Sequence, residues 1–164
     1  MNEEWERRQK KLDTQIASLS ENASKDYLIG MLTTARFWEE FPEYDLYKVY
    51  TCFPLYDEKK QRKGEIDILL VDDEWAMAVD INRETDERDV ERHIELMARI
   101  LKYPPAQLVP GMKLLGAVAG RTVTDEAKDY AHKCGLFVLE LAGESVVRVP
   151  APAGFVPKEW LGGS

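Results

Sequence analysis

GEIDILLVDDEWAMAVDIN, which spans residues 64–82, consists of two apolar runs joined by a short acidic segment. Residues i and i+2 of a β-strand share a face, so the first run is predicted to place odd-numbered residues 65–69 opposite even-numbered residues 66–70. Segment 71–74 is polar and short, which suits an antiparallel connection. The return run alternates again, with Asp80 and Asn82 on one face. The stretch therefore predicts a β-hairpin.

Two carboxylates of this hairpin are candidate functional groups, Asp67 on the first strand and Asp80 on the second. A hairpin can bring them to one spot, which is the minimum needed to hold a divalent cation. The alternative is that both are solvated or hydrogen-bonded acids near strand ends, which are common. The residues alone leave both interpretations open.

The hairpin resembles the core motif of the PD-(D/E)XK nuclease superfamily, which has the restriction-endonuclease-like fold. Glu65-Ile66-Asp67 matches the first half of that motif, and Asp80-Ile81-Asn82 matches the second half except for its lysine. More narrowly, the chain is similar to uncharacterised bacterial members that carry an N-terminal helical arm. The resemblance extends over roughly three quarters of the chain, although a shared fold does not establish activity.

The resemblance implies roles for particular residues. Asp67 and Asp80 would be the ligands of Mg²⁺ or Mn²⁺, with the Ile81 carbonyl as a third. Glu65 would assist as a ligand or base. Asn82 stands where the family has lysine, and an amide can hydrogen-bond a water but cannot supply the charge or proton chemistry of an ammonium group.

A second departure from the family lies upstream of the hairpin. The family often places a Glu on its first core helix, but the corresponding stretch, residues 26–32, contains none. Ile29 occupies the slot, and Asp26 or Glu39 could substitute only in another helix register. The two departures predict a catalytically impaired or inactive domain that acts as an interaction or assembly module. The alternative is a Mg-dependent phosphodiesterase, a DNA or RNA endonuclease that uses Asp67 and Asp80.

Composition limits the choice of partners. The chain has 164 residues and a formal net charge of −8, which indicates one domain whose field repels nucleic acid at long range. Nucleic acid is therefore a weakly supported partner. One concentrated basic run precedes the hairpin, and it is interpreted either as a solvated loop or as a phosphate contact. Its members are Lys59, Lys60, Arg62 and Lys63.

Cysteine usage and hydropathy favour a cytoplasmic protein. Cys52 and Cys134 are far apart in sequence and have no metal-ligand spacing, which predicts reduced thiols and no structural zinc. No apolar run has the length of a membrane span, and the charged N-terminus does not resemble a signal peptide. No membrane association is predicted.

Periodicity along the chain predicts an N-terminal helical arm (1–22), an α/β domain (23–150) and a C-terminal tail (151–164). The arm carries a narrow apolar stripe, which would pack on its own domain or form a homodimer. The stripe consists of Trp5, Leu12, Ile16 and Leu19. The domain is predicted as an αβββαβ core, a central mixed sheet flanked by helices. Helices are expected over 24–41 and 85–102 and from the Thr124 N-cap, and His93 is expected to be a hydrogen-bonded core residue.

Overall fold

The computed structural model describes residues 3, 6, 7 and 25–160. Apart from residues 3, 6 and 7, the predicted arm and its apolar stripe lie outside the described residues. In chain order the elements are α1 (residues 25–34), a 3-10 helix (Phe37–Glu40), β1 (Lys48–Tyr56), β2 (Arg62–Val71), β3 (Trp75–Thr85), α2 (Glu87–Lys102), β4 (Lys113–Val123), α3 (Asp125–Lys133), β5 (Phe137–Ala142) and β6 (Ser145–Arg148). Within the described part of the chain, no helix combines the length and apolarity needed to cross a bilayer.

The strands form one six-stranded sheet in which neighbours follow chain order, β1 to β6. The pairs β1–β2, β2–β3 and β5–β6 are antiparallel, whereas β3–β4 and β4–β5 are parallel. Parallel neighbours need a crossover, and α2 and α3 supply the two crossovers. The predicted α/β class, mixed sheet and αβββαβ order are confirmed.

Helices cover both faces of the sheet. Leu28, Ile29 and Leu32 of α1 pack with the 3-10 helix on one face, and α2 and α3 pack on the other. Burial of both faces is why β4, with residues 114–120 buried, shows little alternation in its sequence. The hairpin of β2 and β3 is therefore held between two helical layers.

The first predicted helix ends earlier than its sequence pattern indicated. Arg36 adopts a left-handed conformation with φ of 53°, and the chain then continues as a 3-10 helix instead of an α-helix. This turn leads Phe37 and Phe41 into the core, where both are almost completely buried. Packing of the two aromatic rings thus overrides helical periodicity.

Side-chain caps define where the other two helices begin. Asp86 accepts from the Asp89 backbone N–H in a capping box, so α2 begins at Glu87, two residues after the predicted start. The predicted N-cap Thr124 is confirmed, since its hydroxyl accepts from the Ala127 N–H at 3.1 Å.

The C-terminal tail is docked on the domain as far as Trp160. The Trp160 N–H donates to the Leu114 carbonyl at 2.8 Å, and the Lys158 N–H donates to the Gly135 carbonyl at 3.0 Å. Gly135 has φ of +80°, and a Cβ there would lie 2.6 Å from the Lys158 nitrogen. Only glycine combines that backbone conformation with so close an approach.

Candidate metal centre

The hairpin strands separate at the position of the two aspartates. β2 and β3 pair from Val71–Ala76 to Ile68–Val79, and the ladder ends at Ile68–Val79, next to the aspartates. Beyond that point the Ile81 N–H donates to the Oδ2 atom of Asp67 at 2.8 Å. A carboxylate therefore occupies the gap between the strands and satisfies a backbone donor of β3.

The pairing of β1 with β2 is also interrupted at this level. Thr51 pairs with Ile68 and Phe53 with Ile66, but Cys52, with φ of 51°, and Asp67 are skipped. The side-chain alternation of β2 changes at the same place. Ile68 packs in the α1-side cluster, whereas Ile66, predicted on the same face as Ile68, packs in the α2-side cluster. That prediction was wrong because irregular pairing lets the strand twist at Asp67.

The structure brings the predicted ligands Asp67 and Asp80 together. Asp67 is buried, and burial followed by the Asp80 charge raises the pKa of its carboxyl group to about 6. Burial likewise raises the pKa of Asp80, against the opposing effects of the Lys25 charge and of a hydrogen bond with Asp67. Burial thus disfavours the ionised form of both acids, and the charge of Lys25 offsets part of that effect.

A lysine that the sequence reasoning did not consider reaches this site. Lys25, in the first described turn of α1, places its Nζ atom 3.1 Å from Oδ1 of Asp67. Burial alone would lower the pKa of Lys25, but the charges of Asp67, Asp80 and Glu65 outweigh it and the pKa is raised. The ammonium group thus contacts Asp67 and is stabilised by the charges of the neighbouring carboxylates.

The other two predicted site residues lie at the edge of the cluster. Asn82 donates from Nδ2 to Oδ2 of Asp80 at 2.8 Å, so it orients a candidate ligand. Glu65 pairs with Arg62 and lies within hydrogen-bonding reach of the Cys52 thiol, whose pKa burial and Glu65 raise. Glu65 contributes charge, as its effect on Lys25 shows.

His93, on α2, lies near enough to Asp67 for the Asp67 charge to affect its pKa. Its Nε2 atom is 2.9 Å from the Ala78 carbonyl oxygen, which requires that nitrogen to donate. Burial lowers the pKa of the ring to about 4, although the Asp67 charge opposes this shift. Of the buried side-chain polar atoms in the described residues, Nδ1 of His93 is without a hydrogen-bond partner. The expectation of a hydrogen-bonded core histidine is confirmed for one nitrogen only.

The two residues proposed as substitutes for the missing helix Glu, Asp26 and Glu39, have different surroundings in the structure. Ile29 is buried in the core, and Glu39 is exposed and pairs with Arg36 at 3.0 Å. Asp26 follows Lys25 on α1 and lies near enough to raise the pKa of Cys52. A buried acid on α2, Asp89, adds to the negative potential at Asp80.

The donor set fits a small divalent cation. Within residues 25–160, no three His, Cys, Asp or Glu side chains converge as a complete ligand group. Mg²⁺ does not need such a group, because it keeps several waters and binds proteins through one or two carboxylates. Asp67 and Asp80 have that chemistry, and burial raises the pKa of both carboxyl groups, so a bound cation would stabilise their ionised forms.

Comparisons with known proteins give partial likenesses. No family model matches the sequence, and no curated protein matches it. A solved repair endonuclease from Pyrococcus abyssi is similar at 23% identity and a TM-score of 0.40, over 54% of this chain and 37% of that one. A solved protein of unknown function is similar at 14% identity and a TM-score of 0.42, over 66% of this chain and 56% of that one. The chain thus spans less than two thirds of either structure.

Proposed function

We propose that this chain is a metal-dependent phosphodiesterase that cleaves nucleic acid, with Asp67 and Asp80 as the metal ligands. The observation that carries the proposal is the contact of 3.1 Å between Lys25 and Asp67. Lys25, on α1, would supply the ammonium group that Asn82 cannot supply. The sequence predicted impaired catalysis from two departures, the missing lysine and the missing helix Glu, and Lys25 supports the proposal by answering the first of them.

The residues of the site divide the chemistry between them. Bound Mg²⁺ or Mn²⁺ would polarise the phosphate and lower the pKa of a coordinated water. Lys25, about half exposed, can hydrogen-bond that water and stabilise the negative charge that develops during attack. Asn82 holds Asp80 in place by the 2.8 Å bond to Oδ2.

A second candidate function is a non-cleaving interaction module, and one observation favours it. Both oxygens of Asp67 and Oδ2 of Asp80 already accept from Lys25, Ile81 and Asn82. A site satisfied by its own donors is stable without a cation. The two functions differ in a measurable way, because a module of this kind would bind no metal at Asp67.

Exchange of the lysine position tests the proposed function. We expect Lys25→Ala to lower cleavage of DNA or RNA in Mg²⁺ or Mn²⁺ by about 100-fold, the lower range for loss of a general acid or base. Asn82→Lys placed in the Lys25→Ala background should recover part of the activity, because it restores an ammonium group beside Asp80. The readout is kcat on labelled oligonucleotides.

Lys133→Ala is the matched control, since Lys133 is exposed on α3 on another part of the domain. It should leave kcat unchanged. Wild-type protein without cleavage activity on any tested DNA or RNA would favour the non-cleaving module. Equal activity in Lys25→Ala and wild type would remove the role assigned to Lys25.

A further inference from the structure

A cleft lies at the tip of the β1–β2 hairpin, against the C-terminal end of α2. Its volume is about 610 Å³. The lining residues are Tyr56, Asp57, Glu58, Lys59, Gln61, Lys102, Tyr103 and Pro104. Two tyrosines and two lysines thus face one open cavity that none of the site residues lines.

The hairpin tip is ordered by Asp57. Its Oδ1 atom accepts from the N–H groups of Lys59 and Gln61, both at 2.9 Å, and Oδ2 lies 3.6 Å from Nζ of Lys63. These bonds lower the pKa of Asp57, the one to Gln61 most, so its carboxylate is ionised and engaged within the loop. Asp57 therefore presents little unpaired negative charge to the cleft.

The cleft is less acidic than the chain as a whole, which carries a net charge of −8. The charged side chains that line the cleft are Lys59, Lys102, Asp57 and Glu58. The adjoining basic residues Arg62 and Lys63 pair with Glu65 and Asp57. Lys102 also lies over the ring of Tyr103, with Nζ 5.5 Å from the ring centroid. Lys59, Lys60 and Lys102 take no part in these two ion pairs and can attract phosphates to the cleft.

We propose that this cleft binds an unpaired base and the adjacent phosphates of single-stranded nucleic acid. Tyr56, which is 53% exposed, and Tyr103 supply aromatic faces on which a base stacks. Lys59 and Lys102 contact the phosphates. For Lys59, a member of the basic run, this corresponds to the phosphate-contact interpretation given above. A base within a duplex is already stacked on both sides and cannot use such a surface.

The inference deepens the proposed function, on which its substrate assignment rests, because β2 connects the cleft with the aspartates. Tyr56 pairs with Arg62, five residues along β2 from Asp67. At roughly 3.3 Å per strand residue the two places are about 17 Å apart. A strand stacked at about 3.4 Å per nucleotide covers this span with about five nucleotides. A single strand of about five nucleotides would therefore reach from the cleft to the aspartates.

The experiment separates binding from cleavage. Fluorescence anisotropy of a labelled 12-nucleotide single strand, DNA in one arm and RNA in the other, is measured in EDTA so that no cleavage occurs. Tyr56→Ala and Tyr103→Ala should each weaken binding by about fivefold or more, since stacking contributes about 1–3 kcal/mol per base. Lys102→Ala should weaken binding and reduce its salt dependence.

Tyr47→Ala is the matched control, because Tyr47 is 52% exposed but adjoins the opposite end of β1. It should bind like wild type. Unchanged affinity in both tyrosine variants, or equal affinity for a blunt duplex, would overturn the cleft assignment. Loss of cleavage in Asp67→Asn with unchanged anisotropy would confirm that the two places act separately. Intact binding by a wild type that never cleaves would contradict the proposed function alone.

Discussion

Asp67→Asn is expected to stabilise the folded protein at pH 7.5 while it removes metal binding. The folded-state pKa of Asp67 is raised from 3.8 to about 6, so ionisation of this group at neutral pH opposes folding. A shift of this size corresponds to about 3 kcal/mol of unfolding free energy. Asparagine keeps an oxygen for the Ile81 N–H but carries no charge. Urea unfolding in EDTA would measure the gain.

The sign of this effect distinguishes a functional carboxylate from a structural one. If the pair of Asp67 with Lys25 existed for stability, its removal would lower the unfolding free energy. Asp45→Asn is the control, because Asp45 is exposed and should change stability by less than about 0.5 kcal/mol. A lower unfolding free energy for Asp67→Asn than for wild type would contradict the proposed electrostatics.

His93→Gln is expected to lose stability at pH 7.5 and to recover relative to wild type on acidification. The folded-state pKa of His93 is depressed from 6.5 to about 4, so its contribution is complete above pH 6.5 and is lost as the pH falls towards 4. At pH 4.5 the contribution of His93 to the unfolding free energy of wild type has fallen by about 2–3 kcal/mol, and the glutamine variant has no such contribution to lose. Asp67 has the opposite pH dependence. Its protonated form stabilises the folded protein at low pH, and that contribution to the unfolding free energy is lost as the pH rises through about 6.

The two groups therefore offset each other in wild type between about pH 4 and pH 6, and single variants should separate them. Unfolding free energies at pH 7.5, 6.0 and 4.5, without metal, give the comparison. His132→Gln is the control: burial also lowers the pKa of that less buried ring, so its pH-dependent change should be smaller. A His93→Gln profile parallel to that of wild type would show that His93 titrates normally.

Side-chain periodicity was sufficient to predict the fold. The hairpin 64–82 alternates, the α2 sequence has helical spacing, and the β4 sequence is apolar on both faces. These patterns reflect burial, which the sequence records residue by residue. The Thr124 N-cap was recognised because it satisfies a local backbone requirement.

The candidate site was predicted less completely, because it depends on contacts between distant segments. Lys25 lies 42 positions before Asp67 in the chain. Its signal was local but unused, since Lys25 shares a helical stripe with Leu28, Ile29 and Leu32, all buried. A charged residue on a buried stripe needs a partner. The reversal at Ile66 could not be predicted, because it results from interrupted pairing with two neighbouring strands.

Calorimetric titration with Mg²⁺ and Mn²⁺ tests the central claim most directly. Wild type, Asp67→Asn, Asp80→Asn and the control Asp45→Asn are compared at millimolar metal. We expect wild type and Asp45→Asn to bind one cation site equally, and both site variants to lose it. No binding by wild type, or unchanged affinity in Asp67→Asn, would contradict a metal centre at Asp67 and Asp80.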